Sequence, residues 1–276
     1  MAREFQPAIG RTPFYVVTGG LAIIFLFPLL WAAIASVSPQ PLTGQVDGFG
    51  LGNYRTLLEY GAGLPQYAFN SFFIAILTVM ITVVVSTLGG YAFAQFRFPG
   101  RDVLFLVTLA ILMVPYATLI IPLYVLLNML GMQNSLVGVS IVLALFQLPF
   151  GTYMMRISFE SVPRELEESA LVDGASSFAV LTRVFLPLVR PGLITVGLFA
   201  FLFAWNEFFA PLVLVTDPNK LPLPLAVANL RQQSMGAIDF GATEAGVVVL
   251  AIPCLLLFLV LQRYYVSGFM LGAVKG

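Results

Sequence analysis

Residues 103–155, VLFLVTLAILMVPYATLIIPLYVLLNMLGMQNSLVGVSIVLALFQLPFGTYMM, run for 53 positions without a charged side chain. A helix needs about 20 mostly apolar residues to cross the hydrocarbon core of a bilayer, so this stretch is long enough for two crossings. Its polar cluster, at Asn128 and 131–135, lies near the middle and is typical of a turn. The sequence therefore predicts membrane helices at about 103–127 and 136–155.

Further apolar stretches also have the length of a crossing. The predicted helices cover residues 14–36, 68–95, 191–215 and 243–262. The whole chain fits this class, since 59% of its 276 residues are apolar, 9% are charged and the mean hydropathy is +0.97. A soluble domain carries about 25% charged residues. We expect an all-α, polytopic integral membrane protein with six transmembrane helices, forming a single permease-like domain over residues 1–276.

The positive charges indicate how the helices are oriented. If both termini are cytoplasmic, ten Arg and Lys residues lie inside and three outside, which agrees with the positive-inside rule. The outer three are Arg55, Lys220 and Arg231. Ala33-Ile34-Ala35 has the form of a signal cleavage site, but the apolar run before it is longer than the 7–15 residues usual for a signal peptide. We therefore expect an uncleaved first helix.

Composition excludes several functions. The chain has no histidine and one cysteine, Cys254, which excludes a Ser/His/Asp triad, a Cys/His zinc site and an intrachain disulfide. Its 13 basic and 13 acidic residues balance, so no basic face for nucleic acid is expected. It also lacks the Gly-x-x-x-x-Gly-Lys-Ser/Thr loop that cradles phosphates. We expect neither catalysis nor a metal, nucleic-acid or ATP site in this chain.

The loop at 156–190 is unusual because it holds nine of the chain's 26 charged residues. Ser161 is a candidate N-cap, and Pro163 suits the first turn of a helix whose acidic start favours the dipole. Gly174 is placed to end that helix, and Ser176 or Ser177 to cap a second one. The pattern predicts two short helices around a glycine. The loop is either a solvated connection or a docking site for a cytoplasmic partner.

Two motifs in this loop carry a family resemblance. Residues 168–175, ESALVDGA, and residues 184–187, VFLP, resemble the cytoplasmic "EAA" loop of ABC-importer permeases, Glu-Ala-Ala-x-x-x-Gly followed by an aliphatic residue, x, Leu-Pro. Ser169 replaces the first alanine and is small enough for the same groove. Other motifs resemble the maltose and glycerol-phosphate branch: NS at 70–71, YAFA at 91–94, RFPGR at 97–101, IPLY at 121–124, PRELEE at 163–168, WNEF at 205–208 and GAVKG at 272–276.

The resemblance implies a subunit of a larger, ATP-driven sugar importer in a prokaryotic cytoplasmic membrane. The implied partners are a second, homologous permease in a heterodimer, two cytoplasmic ATPase subunits that bind ATP and Mg, an extracytoplasmic sugar-binding protein and membrane lipid. The implied ATPase-coupling residues are Glu167, Glu168, Ser169, Ala170, Asp173, Gly174, Ala175, Leu186 and Pro187. A C-terminal ATPase contact is implied at Gly272, Val274 and Lys275.

Three neighbouring residues are candidates for the translocation path or its gate. Glu207 lies 16 residues after Pro191, or about 24 Å along the fifth predicted helix. A carboxylate at that depth is costly unless it faces water, a partner group or the bundle interior. Asn206 precedes it, and Trp205 either stacks on a sugar ring or packs against another helix. A packing bond made by Glu207 is the alternative.

Small residues and prolines predict how the helices pack and bend. Ser86, Gly90 and Ala94 recur every fourth residue in the second helix and are predicted close-packing positions. Pro115, Pro122 and Pro149 are predicted to bend helices rather than to contact a ligand.

Two other functions compete with the importer. An ion-coupled secondary transporter needs ionisable residues within the membrane, for which Glu207 is the candidate, but it leaves the loop motif without a role. A membrane-embedded transferase needs paired acids near the membrane face, and the spacing of Glu165, Glu167 and Glu168 fits a helix surface better than a metal motif.

Overall fold

The computed structural model describes residues 11–39, 49–233 and 240–273, and these ranges contain helices and no strand. Helices long and apolar enough to cross a membrane are Pro13–Val37, Leu64–Gln95, Leu136–Glu160 and Phe240–Gln262. Two bent helix pairs raise the number of candidate spans to six. The all-α, six-span architecture predicted from the sequence is thereby confirmed.

The described ranges contain thirteen α-helices. In chain order they are α1 (Arg11–Val37), α2 (Gly52–Glu59), α3 (Leu64–Gln95), α4 (Arg101–Ala110), α5 (Tyr116–Met129), α6 (Leu136–Glu160), α7 (Arg164–Val172), α8 (Ser177–Val180), α9 (Leu186–Leu188), α10 (Arg190–Trp205), α11 (Phe209–Leu214), α12 (Leu223–Gln233) and α13 (Phe240–Ala273). Short 3₁₀ turns lie at Ile111–Met113 and Pro218–Lys220, and a π turn at Leu181–Phe185 joins α8 to α9.

The third predicted helix is broken rather than continuous. The helices on either side of the break, Arg101–Met113 and Tyr116–Met129, meet at 104°. Val114 is extended, with φ −82° and ψ 127°, because the ring of Pro115 disfavours helical geometry at the residue before it. The bend predicted at Pro115 is therefore confirmed, whereas Pro122 and Pro149 lie inside α5 and α6, which continue through them.

The fifth predicted helix, 191–215, is also broken. α10 ends at Trp205, and α11 begins at Phe209 after three intervening residues. Asn206 turns its amide back to Leu202, with Nδ2 donating to the carbonyl oxygen at 2.8 Å. Glu207 accepts from backbone N–H groups that the interruption leaves free. The Glu207 carboxylate thus bonds donors at the start of α11 that a continuous helical ladder would otherwise pair, so the interruption leaves them satisfied.

The centre of the bundle is the long contact of α3 with α6, over which α10 packs. Small residues allow the close approach: a Cβ at Gly90 would lie 2.5 Å from the Cβ of Met155, and one at Gly151 would lie 3.0 Å from the Cβ of Ser86. Ser86 and Ala94 are buried. The predicted close-packing role of this stripe is confirmed.

The ends of the bundle opposite the 161–190 segment are tied together by polar side chains. Asn70, buried in α3, donates through Nδ2 to the carbonyl oxygens of Asn219 and Leu221 at 2.8 and 2.9 Å. The Oγ of Ser71 accepts from the N–H of Leu223 at 2.8 Å. The NS motif at 70–71 thus holds the connection between α11 and α12 against α3.

Candidate functional site

The 161–190 segment is built as two helical pieces around Gly174. Gly174 has φ +83°, its N–H donates to the carbonyl of Leu171, and the N–H of Ala175 donates to that of Ala170, each at 3.0 Å. This left-handed stop is the conformation that glycine adopts with the least strain, and it confirms the predicted end of the first helix. The predicted cap at Ser176 is also confirmed, because its Oγ accepts from the N–H of Ala179 at 3.3 Å.

The predicted start of the first helix was wrong by two residues. Ser161 belongs to the end of α6, where its N–H donates to Ile157 and its hydroxyl donates to Ser158 at 2.8 Å. Since α6 runs on to Glu160 rather than ending at 155, Ser161 is used to terminate it. Pro163 occupies the N-cap position of α7, without a side-chain cap.

Some of the predicted coupling residues anchor the segment to the bundle. Ala170, Ala175 and Leu186 are partly buried and pack against an apolar cluster that includes residues of α3 and α6. At the centre of this cluster three rings meet edge to face: Tyr91 lies 5.4 Å from both Phe159 and Phe185, and those two lie 5.7 Å apart. We call Tyr91, Phe159 and Phe185 the aromatic anchor. It joins α3, α6 and the π turn.

The other predicted coupling residues face outward. Glu168, Ser169, Asp173, Gly174 and Pro187 are exposed, and Glu167 is half-buried. Large apolar side chains are exposed with them: Val172 is 87% exposed and Phe178 71%, and Leu166 and Leu171 are also exposed. Large apolar side chains exposed to this extent are available for contact with a partner. We call these four residues the apolar patch.

The acidic start of α7 does not form a metal site. Partial burial raises the pKa of Glu167, Arg164 opposes that shift, and Glu168 adds to it. Ser169, the departure from the motif, donates its hydroxyl to the carbonyl of Glu165 at 2.7 Å. Within the described part of the chain no group of three or more His, Cys, Asp or Glu side chains converges as a metal site would require. The acids therefore lie along a helix surface.

The three residues predicted to line the translocation path or its gate differ in how deeply they are buried. The Trp205 ring is 1% exposed, its Nε1 donates to the carbonyl of Leu250 at 3.0 Å, and it lies 4.6 Å from the ring of Phe72. Of the two roles considered for Trp205, its contacts are those of packing, because no face of the ring is open to a sugar. Asn206 is exposed, and Glu207 is half-buried.

Glu207 caps the short helix that follows the break. Its Oε1 accepts from the N–H groups of Phe209 and Ala210 at 2.7 and 3.0 Å. The break in the fifth span also meets the break in the third. Tyr116, the first residue of α5, packs on Phe209 with ring centroids 6.0 Å apart, and its buried hydroxyl lies beside the Glu207 carboxylate.

Sequence reasoning missed the aromatic anchor, the apolar patch and Tyr116. Tyr91 did fall within a recognised motif, YAFA, but nothing in that motif indicates its ring partners at 159 and 185. The predicted C-terminal ATPase contact stays a prediction, since Gly272 lies within α13 and Val274 and Lys275 lie outside the described residues.

The chain resembles known membrane transport proteins along most of its length. Residues 86–268 match the model of the family described as binding-protein-dependent transport system inner membrane component. The trehalose transport system permease protein SugB of Mycobacterium tuberculosis is 32% identical, over 96% of this chain and 98% of its own length. The diacetylchitobiose uptake system permease protein DasC of Streptomyces coelicolor is 37% identical, over 93% and 94%.

Solved structures share the fold. A chain in the crystal structure of a bacterial ABC transporter for the import of alginate superposes with a TM-score of 0.79 at 22% identity, covering 96% of this chain and all of that one. A chain of the MetNI methionine ABC transporter, in an inward-facing conformation, gives 0.58 at 16% identity, over 79% and 98%. Fold, motif and family match agree, and the chain belongs to the family of inner membrane components of binding-protein-dependent transport systems.

Proposed function

We propose that this chain is the permease subunit of an ATP-driven sugar importer and forms half of its translocation pathway. Relatives named for trehalose, for trehalose and maltose, and for diacetylchitobiose support a sugar as the cargo. A second, homologous permease supplies the other half of the path. An extracytoplasmic binding protein delivers the sugar, and two cytoplasmic ATPase subunits bind ATP and Mg and supply the energy.

The observation that carries this proposal is the apolar patch around Gly174. Val172 and Phe178 flank a glycine at which an added Cβ would meet nothing within 4 Å, so a partner can approach the backbone closely there. Exposed acids at Glu168 and Asp173 border the patch. A groove with an apolar floor and basic rim on an ATPase subunit complements this surface. The excess of positive charges on the same side supports a cytoplasmic location for the segment and both termini.

The aromatic anchor couples the docking segment mechanically to the membrane helices. Tyr91 and Phe159 belong to the long helices α3 and α6, and Phe185 belongs to the docking segment itself. Closely packed rings move together because their contacts cannot stretch without opening a void. Closure of the ATPase pair would therefore tilt α3 and α6 with the segment and expose the path to alternate sides, as rigid-body switching requires.

The meeting of the two helix breaks supports a place for Glu207 at the path or its outer gate. Glu207 and Tyr116 lie where α10 gives way to α11 and α4 to α5. Broken backbone at membrane depth is tolerated where it lines a cavity or is buried in protein. Asn206, exposed beside this junction, is the side chain best placed to meet a sugar hydroxyl.

Substitution of Val172 by Glu tests the docking surface. Burying an exposed valine side chain contributes about 1.5–3 kcal/mol. Loss of this burial free energy alone weakens the association of permease and ATPase at least tenfold. The amount of ATPase that co-purifies with the permease should therefore fall about tenfold. Val172→Leu keeps an apolar surface and should co-purify normally. Unchanged recovery of the ATPase with Val172→Glu would falsify the assignment of this surface.

A further inference from the structure

The turn between α3 and α4 contains a cavity that the transport mechanism does not use. Its volume is about 410 Å³, and it is lined by Arg97, Phe98, Gly100, Arg101, Asp102 and Val103. The turn lies at the same end of the bundle as the 161–190 segment, because neighbouring Gln95 donates through Nε2 to the carbonyl of Phe159 at 3.4 Å. It therefore sits where two membrane spans reach the water interface.

The cavity offers donors to an anion. Arg97 is exposed and makes no hydrogen bond or ion pair with any residue in the described ranges. Arg101 uses Nε to bind Asp102 Oδ1 at 3.1 Å, which leaves its remaining guanidinium N–H groups available. The first helical bond of α4 runs from the N–H of Leu104 to Gly100, so the N–H groups of Asp102 and Val103 have no acceptor within the helix.

A third arginine at this end of the bundle is already engaged. The guanidinium of Arg156 lies 4.2 Å from the centre of the Phe105 ring, and its Nε binds Glu160 at 2.8 Å. Arg156 therefore does not add to the cavity, whose own cations are Arg97 and Arg101.

The surroundings of the cavity are apolar. Val103 is 64% exposed, and Phe96, Phe98 and Leu104 are also exposed, at the ends of helices that span the membrane. A free phosphate ion gains nothing from such a wall, whereas the acyl chain of a phospholipid covers it. The guanidinium groups match the phosphate of the phospholipid headgroup, and the exposed apolar side chains match its acyl chains.

We propose that the cavity binds the headgroup phosphate of an anionic phospholipid, held by Arg97, Arg101 and the free N–H groups at the start of α4. The acyl chains lie against Val103 and Leu104. The site is selective for negatively charged lipid because each basic residue near a membrane surface favours anionic lipid by roughly fivefold.

The test measures lipid binding to the purified full-length chain in detergent by native mass spectrometry. Short-chain dioctanoyl-phosphatidylglycerol and dioctanoyl-phosphatidylcholine are added separately. The lining carries a net charge of +1, because Asp102 offsets Arg101. We expect the wild type to prefer the glycerol lipid about fivefold, and both Arg97→Gln and the double variant Arg97→Gln with Arg101→Gln to abolish that preference. Arg97→Gln removes a charge without removing a contact within the described fold, so misfolding is not expected to imitate the result.

Two controls distinguish the site from general charge and from a free anion. Arg190→Gln removes an exposed arginine outside the cavity and should leave the preference intact. Excess glycerol phosphate should fail to displace the lipid. Equal binding of both lipids to the wild type, a preference that survives the double substitution, an equal loss in Arg190→Gln, or displacement of the lipid by that excess of glycerol phosphate would each overturn the proposal.

Discussion

Replacement of Gly174 by aspartate separates the folding of this chain from its docking. Gly174 adopts φ +83°, and a Cβ built there meets nothing within 4 Å. The cost within the chain is therefore the backbone strain of a left-handed residue, roughly 1–2 kcal/mol, and aspartate tolerates this conformation better than most residues. A native domain is stable by about 5–15 kcal/mol, so the helices of the variant should still insert and fold.

The cost at the proposed ATPase interface is larger. The new carboxylate lies beside Asp173, in the gap through which a partner would reach the backbone. An unpaired charge buried at an interface costs about 3–5 kcal/mol, which corresponds to at least a hundredfold loss of affinity. We therefore expect Gly174→Asp to reach the membrane at normal levels and to lose both the ATPase and sugar-stimulated ATP hydrolysis.

A matched control is available at the opposite end of the bundle. Gly131 has φ +68°, and a Cβ there also meets nothing within 4 Å. Gly131→Asp thus bears a similar strain and adds the same charge in the turn between α5 and α6. The assay compares co-purification of the ATPase and ATP hydrolysis in liposomes for both variants. Wild-type behaviour of Gly174→Asp in both measurements, or an equal loss in both variants, would refute the docking argument.

Further predictions concern orientation, anchoring and the helix break. On a Cys254→Ser background, Val172→Cys should react with a membrane-impermeant thiol reagent only after the membrane is permeabilised. Labelling of this variant in intact cells would overturn the cytoplasmic location of the segment. Phe185→Ala should cost about 3–5 kcal/mol of packing and make 161–190 sensitive to protease while the spans stay inserted; unchanged protection would contradict the role of the aromatic anchor. Glu207→Gln keeps an oxygen that can accept from the N–H groups of Phe209 and Ala210, so a purely capping role predicts normal sugar uptake. A charge-dependent gate instead predicts altered uptake with normal assembly. Glu207→Ala loses the cap at about 1 kcal/mol, and normal assembly and uptake in that variant would eliminate both roles.

Much of the architecture was predictable because the signals are local. A crossing is recognised by the length of its apolar run, which the bilayer sets, and the six spans followed from that. Gly174 and Ser176 were also identified correctly, since a left-handed stop and a cap depend on a few neighbouring residues. The errors at Ser161 and over 191–215 were local too: α6 extended further than its uncharged part, and the polar pair at 206–207 ended a helix that the apolar count had continued.

The membrane class, the spans and the helix–glycine–helix segment are encoded in short stretches of sequence, whereas the choice of which helix faces meet depends on packing across the bundle. Helices in a bilayer are apolar on the lipid side and on the packed side alike, so periodicity does not identify the inner face. Packing therefore decided that Trp205 is buried against α13, that Tyr116 meets Phe209, and that Tyr91 anchors the segment carrying Phe185. Packing also decided that Ala170 faces the bundle although adjacent motif residues face outward. Successive residues of a helix point about 100° apart, and the contacts of the aromatic anchor fix the rotation of the segment.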